Sequence, residues 1–256
     1  MSAWDADHYL RFADERTRPA ADLAARIALE APARVIDLGC GPGNSTRVLA
    51  ERWPGAQLTG LDNSAEMIAS ARETGLDAEW VLGDLGSWEA QEPFDVVFSN
   101  AALQWVPDHT ALVRRLLAQV APGGVLAFQV PANRYALVRE LIEEVAEDPA
   151  WRDRMARPRS MLTIPQVTLY YDALVADASR LDLWTTEYSH VLDGPEAIVD
   201  WIASTGLRPY LDALADEAER TRFRTMLVER VSAGYERRAD GRVLFPFRRQ
   251  FVVAQR

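Results

Sequence analysis

The sequence predicts an α/β protein in which helices cover both faces of a mostly parallel, seven-stranded sheet. Three observations lead to this prediction. Short apolar segments alternate with helical segments between residues 34 and 130, as in a parallel sheet. A glycine-rich turn follows the first apolar segment and opens a helix. Two further strand-like segments, at about 181–191 and 242–255, follow a helical region and bring the strands to seven.

The N-terminal segment precedes a first helix with an apolar stripe, predicted at 19–29. We expect its aromatic residues Trp4 and Tyr9 either to close over a pocket or to pack on the core, as large aromatic side chains usually do. The segment carries several aspartates and no long apolar run. We therefore expect neither a signal peptide nor a membrane anchor.

The alternating region supplies five strands with helices between most of them. Right-handed crossovers place the carboxyl ends of these strands at one edge of the sheet, where ligands bind in such folds. The predicted strands are 34–38, 57–61, 78–82, 94–99 and 125–130, and the predicted helices are 45–53, 65–74 and 110–120.

The turn after the first strand has glycine at alternate positions, from Gly39 to Gly43. Glycine permits backbone conformations closed to other residues, so such a turn brings a ligand against bare backbone. Asn44 and Ser45 are suited to capping the next helix. Asn44 also stands where the dinucleotide fingerprint has its third glycine, which disfavours a nicotinamide cofactor. Asp37 would attract a cationic group, which favours a cofactor with an amine or a sulfonium.

An acidic residue ends the second predicted strand. Asp62 lies about as far beyond the glycine turn as the acid that binds ribose hydroxyls in dinucleotide-binding folds. Its alternative is to cap the following helix, although Ser64 suits that position better. We therefore predict that Asp62 binds a ribose.

The segment Asp37-Leu-Gly-Cys-Gly-Pro-Gly resembles motif I of the S-adenosylmethionine (SAM)-dependent methyltransferases without a departure. The resemblance implies a Rossmann-like sheet whose last strand runs antiparallel between its neighbours. It also implies SAM as cofactor and S-adenosylhomocysteine as product. The implied cofactor-binding residues are Asp37, Gly39, Gly41 and Asn44 in the turn, Asp62, Asn63 and Met67 along the adenosine, Asp84 and Leu85 at the adenine, and Asn100 and Ala101 near the methyl group.

Large and amide side chains crowd the loop after the fourth predicted strand. Loops at the ligand-binding edge of a sheet commonly carry function. The resemblance implies that Gln104, Trp105 and His109 in this loop reach the substrate. A histidine at a helix start is also often a cap or a surface residue, and that alternative stays open for His109.

The rest of the chain is mainly helical and contains the sixth strand. We divide the chain into a cap segment with the first helix (1–30), a cofactor-binding core (31–130), a helical lid that includes the sixth strand (131–240) and a final strand bent at Pro246 (241–256). Two apolar stripes predict lid helices: Leu137, Val138, Leu141, Ile142 and Val145 form the first, and Phe223, Met226, Leu227 and Val231 the second.

Composition limits the classes of partner. The 256 residues carry a net charge of -10, which argues against nucleic acid and anionic membranes as partners. A single cysteine excludes a disulfide framework and a cysteine metal cluster and fits a reducing cytoplasm, and we expect no metal. We expect a monomer or a weak homodimer.

Segments beyond the cofactor turn are similar to the trans-aconitate 2-methyltransferase family. They are the Ser-Asn-Ala-Ala-Leu-Gln-Trp loop from Ser99, the run Tyr170-Tyr171-Asp172, Thr-Gly-Leu-Arg-Pro from Thr205 and the closing Phe-Pro-Phe-Arg-Arg. This similarity spans nearly the whole chain. It implies transfer of the SAM methyl group to a carboxylate of trans-aconitate, giving a monomethyl ester.

Carboxylate methylation needs little acid–base chemistry. A carboxylic acid with a pKa of about 4 is already ionised at neutral pH, so we expect no catalytic base. We predict that arginines, Arg134 and Arg248, bind the non-reacting carboxylates of the small polycarboxylate substrate. Neutral donors, namely Gln104, Trp105 and Tyr170, would orient the reacting carboxylate.

Two other functions stay open. A methyltransferase acting on another small carboxylate or on a malonyl carrier protein shares the type of loop found after the fourth strand, although an acidic chain suits an acidic carrier poorly. A non-catalytic regulator that binds SAM would keep the same cofactor residues.

Overall fold

The computed structural model describes residues 13–132, 136–161, 165–203 and 206–256. The strands are β1 Arg34–Leu38, β2 Gln57–Asp62, β3 Glu79–Leu82, β4 Phe94–Asn100, β5 Val120–Pro131, β6 Arg180–Leu192 and β7 Val243–Gln255. The helices are α1 Ala13–Ala25, α2 Asn44–Arg52, α3 Ala65–Glu73, α4 His109–Ala118, α5 Leu137–Ala146, α6 Ala156–Met161, α7 Val167–Leu174, α8 Pro195–Ala203, α9 Arg208–Asp212 and α10 Glu217–Gly234, with 3-10 turns at Leu103–Trp105 and Arg152–Arg154.

The strands of the described residues form one seven-stranded sheet in the order β3-β2-β1-β4-β5-β7-β6. Neighbouring strands from β3 to β5 pair in parallel, whereas β7 runs antiparallel to β5. The prediction of a mostly parallel sheet whose last strand is antiparallel and lies between two others is confirmed. The strand order reverses beside β1, so the ends of β1 and β4 are neighbours at the edge where ligands bind in such sheets.

The central strands are buried on both faces. Val35, Ile36, Val96 and Val97 are at most 1% exposed, and so is the run of β5 from Leu126 to Val130. Strands covered by helices on both sides carry near-continuous apolar runs. This explains why the sequence pattern located these strands to within a few residues.

The first helix differs most from its predicted bounds. It already includes Ala13 and has Pro19 in its interior, whereas the sequence suggested that Pro19 begins it. Its end is earlier than predicted because Arg26 and Ile27 donate to Leu23 and Ala24, three residues back, which tightens the last turn. Proline in the first turn is a common helix start but is not diagnostic of one.

Strand β5 begins earlier than predicted and contains an irregularity. Val120 pairs with Phe94 and Val125 with Val96, so the intervening Ala-Pro-Gly-Gly segment is extra length on β5. The segment is therefore a bulge within the strand.

The last strand is continuous across Pro246, where we predicted a bend. Its ladder with β5 covers Arg249 to Gln255, so Pro246 lies beyond the end of that ladder. The missing N–H of proline therefore interrupts no hydrogen bond to β5.

The chain divides into two compact units. The first comprises the residues up to Pro131 together with Pro165–Thr186 and Arg249–Arg256, and it holds most of the sheet. The second comprises Ala132–Ile164 and Glu187–Arg248. The predicted lid segment 131–240 thus contributes α7 and the first half of β6 to the first unit.

The second unit has its own apolar core, in which α10 packs against α5 and α8. Phe223, Leu227 and Val231 of the predicted stripe are buried there. Trp151 packs against Phe223 with ring centroids 5.4 Å apart. The hydroxyl of Tyr210 donates to Glu143 at 2.6 Å, and this hydrogen bond, with nearby arginines, holds the pKa of Glu143 below its usual value although burial opposes it.

Candidate active site

The glycine turn connects β1 to α2 and is held against the end of β2. The backbone N–H groups of Gly39 and Cys40 both donate to the carbonyl of Leu61, at 2.7 and 3.0 Å. Gly39 and Gly41 have φ values of 74° and 55°, in the left-handed region that favours glycine. A side chain at Gly41 would meet no heavy atom of the described residues within 4 Å, so among them the backbone here is open to a ligand.

Asp37 lies beneath this turn and is fully buried. Its Oδ2 accepts hydrogen bonds from Ser45 and Thr46, each at 2.7 Å. Its Oδ1 is buried and has no hydrogen-bond partner among the residues that the structure describes. Burial raises the pKa of Asp37 to about 6, although the two hydroxyl bonds act in the opposite direction. A cation would relieve this cost, and the attraction of one to Asp37 stays a prediction.

Asn44 and Ser45 do not cap α2, so that prediction is wrong. Gly43 occupies the N-cap position in a left-handed conformation, and no side-chain hydrogen bond caps the helix there. The hydroxyl of Ser45 is instead committed to Asp37. The Nδ2 of Asn44 is buried and lacks a hydrogen-bond partner within the described part of the chain.

Asp62 ties the glycine turn to the start of α3. Its Oδ2 accepts from the N–H of Gly41 at 3.0 Å, and its Oδ1 accepts from the N–H of Ser64 at 2.9 Å. Ser64 caps α3 by accepting from Met67 N–H at 3.3 Å, as expected. Each carboxylate oxygen retains capacity for a further hydrogen bond, so Asp62 can still receive hydroxyl groups. Asn63 beside it is exposed, whereas Met67 is buried.

The loop after β3 is fastened by an arginine that we did not predict. Arg115 on α4 donates through Nη2 to the carbonyls of Leu85 and Gly86 at 3.0 and 2.9 Å, and through Nη1 to the carbonyl of Trp88. Leu85 is buried, and Asp84 is exposed and accepts from Gly86 N–H at 2.8 Å. The loop predicted to contact the adenine is therefore fixed from α4.

The loop after β4 lies directly against the glycine turn. A Cβ placed on Gly39 would be 2.2 Å from the Cβ of Ala102. Ala101 has a φ of 56°, and its N–H donates to the carbonyl of Gln129 at 3.0 Å. Asn100 accepts from the Gln129 side chain at 2.6 Å. The structure thus brings the predicted residues Asn100 and Ala101 next to the predicted cofactor turn.

Gln104 is turned back on its own loop. Its Nε2 donates to the carbonyl of Ala101 at 2.6 Å, while its buried Oε1 has no hydrogen-bond partner among the described residues. An amide flip would bring two oxygens together, which supports this assignment. Trp105 next to it is 38% exposed.

His109 and Tyr170 form a buried pair between α4 and α7. The Tyr170 hydroxyl lies 2.8 Å from Nδ1 of His109, and Tyr170 also packs edge-on against Phe128 with centroids 5.0 Å apart. Burial lowers the pKa of His109, although Asp108 opposes this, and burial raises the pKa of Tyr170 above its usual value. Asp108, which accepts from Ala111 N–H at 3.1 Å, caps α4, so His109 is not the cap.

Of the two predicted arginines, only Arg248 lies within the described residues. Arg248 is 61% exposed at its side chain and forms an ion pair with Glu187 at 2.7 Å. Its neighbour Arg249, which we did not predict, is buried and donates to Gln129 at 3.3 Å. Arg134, Trp4 and Tyr9 lie outside the residues that the structure describes.

Strand alternation in the sequence could have identified Arg249. Val243, Phe245, Phe247 and Phe251 occupy alternate positions of β7 and are all buried, and Arg249 continues that series. Gln129 and Arg115, by contrast, carry no such signal, because their partners are distant in sequence.

Metal and membrane features were also sought. Within the described ranges, no group of three or more histidine, cysteine, aspartate or glutamate side chains is arranged to hold a metal ion. None of the helices in those ranges combines the length and the apolar character needed to cross a membrane.

Comparison with known proteins identifies similar sequences over the full length. A family model described as a methyltransferase domain matches residues 9–169. The chain is 47% identical over 256 residues to a trans-aconitate 2-methyltransferase of Azoarcus sp. (strain BH72), with 100% of both chains covered. It is 46% identical over 257 residues to a trans-aconitate 2-methyltransferase of Rhodopseudomonas palustris (strain BisA53), again with 100% of both covered.

Solved methyltransferase structures share the fold at low sequence identity. A putative methyltransferase of Bacillus halodurans C-125 gives a TM-score of 0.60 at 14% identity, covering 93% of this chain and 98% of that one. Phosphoethanolamine N-methyltransferase 2 of Haemonchus contortus, in complex with S-adenosyl-L-methionine, gives 0.57 at 16% identity, covering 93% of this chain and 52% of that one.

Proposed function

The chain belongs to the trans-aconitate 2-methyltransferase family, and from this premise we propose that it methylates a carboxylate of trans-aconitate with SAM as the methyl donor. The products are a monomethyl ester and S-adenosylhomocysteine. Two features of the same turn support SAM as the methyl donor. Among the described residues, the backbone at Gly41 is open, and a buried carboxylate oxygen of Asp37 has no hydrogen-bond partner. The full-length similarity supports the acceptor.

The residues around the turn fit SAM, which supplies a methyl group on a positively charged sulfur. Asp37 offers a negative charge that burial makes costly to leave without a cation. Asp62 can accept the ribose hydroxyls while it holds the Gly41 N–H. Asp84 and Leu85 would meet the adenine on a loop fixed by Arg115, and Asn100 and Ala101 would flank the methyl-bearing end.

The acceptor needs orientation and a dry site more than proton transfer. Its carboxylates are ionised at neutral pH, so a base has no proton to remove. Attack of a carboxylate on a sulfonium neutralises two charges, and exclusion of water therefore favours the reaction. Alignment of the two groups contributes the rest.

We propose that His109 is a neutral donor to the acceptor. A phenol donates well and an imidazole nitrogen accepts well, so the Tyr170 hydroxyl donates to Nδ1 and leaves the proton of His109 on Nε2. Because burial lowers its pKa, His109 stays uncharged at neutral pH. This changes the role predicted for Tyr170: its hydroxyl is committed to His109, and it positions that residue.

The cellular setting follows from the same chemistry. We propose that the protein acts in the cytoplasm on a free small molecule and not on nucleic acid, as a monomer or a weak homodimer. The net charge of -10 supports the exclusion of nucleic acid. The single cysteine, Cys40, is buried, which raises its pKa, and it fits a reducing cytoplasm. The role of residues 131–240 as a lid stays a prediction.

The direct test is incubation with methyl-labelled SAM and a panel of small polycarboxylates. We expect a base-labile methyl ester of trans-aconitate. Asp62→Ala should abolish label transfer by weakening SAM binding. The matched control is Asp193→Ala, which makes the same substitution at an exposed position and should leave label transfer unchanged. SAM binding without any ester would indicate a regulator, and ester formation only on a malonyl carrier protein would replace the acceptor.

A further inference from the structure

Arg249 occupies a position on β7 that otherwise belongs to large apolar residues. Alternate residues of this strand, Val243, Phe245, Phe247 and Phe251, are buried, and Arg249 continues the series at 4% exposure. Arg248 and Leu244, on the other face, are exposed. Burying a guanidinium is costly, and arginine cannot lose its proton in the physiological pH range. Among these buried alternate positions, Arg249 is therefore the exception to an apolar series.

A chain of hydrogen bonds joins Arg249 to the loop after β4. Its Nη1 donates to Oε1 of Gln129 at 3.3 Å, and Nε2 of Gln129 donates to Oδ1 of Asn100 at 2.6 Å. The backbone carbonyl of Gln129 accepts from Ala101 N–H. Gln129 is fully buried, and its side-chain oxygen orients the guanidinium. One amide group separates the charge of Arg249 from the loop that flanks the proposed methyl-bearing end.

The position of β7 in the sheet separates Arg249 from the glycine turn. Strands β4 and β5 lie between β1 and β7, a separation of about 14 Å at the usual spacing of neighbouring strands. In the proposed function, the cofactor lies at the turn after β1. Arg249 is therefore too far from that turn to be explained as a cofactor ligand.

We propose that Arg249 binds a carboxylate of the acceptor that is not methylated. The inference rests on the proposed function, which supplies an acceptor with three carboxylates. The planar guanidinium binds a carboxylate through two parallel hydrogen bonds, so one residue fixes both position and orientation. The hydrogen bonds from Arg249 to Gln129 and from Gln129 to Asn100 fix the guanidinium relative to the loop that flanks the methyl donor. Arg249 thereby selects polycarboxylates over monocarboxylates, and it binds a non-reacting carboxylate, as the sequence predicted for Arg134 and Arg248.

The test measures acceptor binding to protein loaded with S-adenosylhomocysteine, by calorimetry. The probes are trans-aconitate and the three dicarboxylates that each lack one of its carboxylates, itaconate, glutaconate and mesaconate. Arg249→Gln should weaken trans-aconitate binding by about 30-fold or more, since a charge-assisted pair is lost. The variant should bind one dicarboxylate within about threefold of wild type, because that probe lacks the carboxylate that Arg249 holds.

Controls separate this role from structural and cofactor roles. Arg242→Gln removes an exposed arginine just before β7 and should change no binding constant. Equal weakening of all four probes by Arg249→Gln, weaker S-adenosylhomocysteine binding, or loss of trans-aconitate binding in Arg248→Gln in its place would each overturn the proposal. If Arg249→Gln does not fold, Arg249→Lys keeps the charge without the planar fork and should weaken trans-aconitate binding alone by about tenfold. If trans-aconitate binds but is not methylated, the proposed function fails while the role of Arg249 is still decided.

Discussion

Gly39 and Gly41 have similar left-handed conformations in one turn, but their surroundings differ. A Cβ on Gly39 would lie 2.2 Å from the Cβ of Ala102, a distance that forces the turn and the neighbouring loop apart. A Cβ on Gly41 would meet nothing within 4 Å. Packing therefore excludes a side chain at Gly39, whereas at Gly41 the described structure leaves room that the proposed cofactor would use.

This pair gives a matched test of the cofactor site. Gly41→Ala should lower the free energy of unfolding by about 1–2 kcal/mol, the cost of alanine in a left-handed conformation. It should also weaken SAM binding at least tenfold, because the methyl group occupies the open backbone. Gly39→Ala should add a steric cost of about 1–3 kcal/mol to the same strain. Thermal unfolding without ligand and calorimetry with SAM measure the two effects.

The interpretation requires that Gly41→Ala binds SAM more weakly than wild type and that Gly39→Ala is the less stable of the two variants. If Gly41→Ala binds SAM as wild type does, the cofactor does not approach the turn at Gly41. If Gly39→Ala is no less stable than Gly41→Ala, the contact between the turn and the Ala102 loop is not rigid.

Individual residues were predictable where a local pattern defines them. Ser64 was identified as the cap of α3, and the acids Asp37 and Asp62 lie at the turn as their spacing indicated. The alternation along β7 indicates Arg249, and not Arg248, as the buried arginine of that strand. The bonds of Asp37 to Ser45 and Thr46 were not predictable, since they depend on how α2 leaves the turn.

At the scale of elements, α7 is fastened to α4 by two bonds within the first unit. The Tyr170 hydroxyl is hydrogen-bonded to Nδ1 of His109, and Nε of Arg114 donates to the carbonyl of Ala173 at 2.9 Å. We had placed this part of the chain in the lid, because α7 follows the helices after β5. Its partner on α4 lies about sixty residues earlier in sequence, and no local pattern encodes a contact of that kind.

Tyr170→Phe tests whether this fastening also serves the acceptor. The variant keeps the ring against Phe128 but leaves Nδ1 of the buried His109 without its phenol, which should cost about 1–3 kcal/mol of stability. We also expect the KM for trans-aconitate to rise severalfold, since His109 loses its fixed proton position, while SAM affinity is unchanged. Thermal unfolding, steady-state kinetics and calorimetry provide these values.

Tyr171→Phe is the matched control, because Tyr171 is the next residue of α7 and is exposed. It should change neither stability nor KM. A Tyr170→Phe variant that loses stability but keeps the wild-type KM would restrict Tyr170 to a structural role.

For the whole molecule, the period of the hydrophobic pattern predicted the parallel part of the sheet, whereas the family resemblance implied the antiparallel last strand. Buried apolar strands alternating with helices specify a parallel sheet, and this part of the prediction needed no knowledge of side-chain contacts. The division into two units was harder to predict, because both units are discontinuous in sequence and share strands β6 and β7. Long-range pairing of this kind is determined by packing, which a single sequence does not display.

The buried ionisable groups together predict the pH dependence of the reaction. Burial lowers the pKa of His109 and raises that of Tyr170, so neither group changes charge between pH 7 and 9. Burial raises the pKa of Asp37 from its model-peptide value to about 6. For folding, a raised carboxyl pKa adds to the free energy of unfolding at low pH, and this contribution is lost as the pH rises through 6. The affinity for the cofactor changes in the opposite direction and rises with pH, because a cation needs the ionised carboxylate.

We therefore expect kcat/KM for SAM to be flat from pH 7 to 9 and to fall about tenfold between pH 7 and 5, as one proton binds to Asp37 with its pKa of about 6. The affinity for SAM, measured by calorimetry, should fall in parallel. Asp37→Asn should bind SAM weakly at every pH and lose the acidic limb, because nothing titrates at that position. A rate that climbs steeply between pH 7 and 9 would reveal a catalytic base and an acceptor that must lose a proton, such as a hydroxyl or an amine. That result would contradict carboxylate methylation, whereas a flat profile is the behaviour of a reaction in which the acceptor is ionised before it binds.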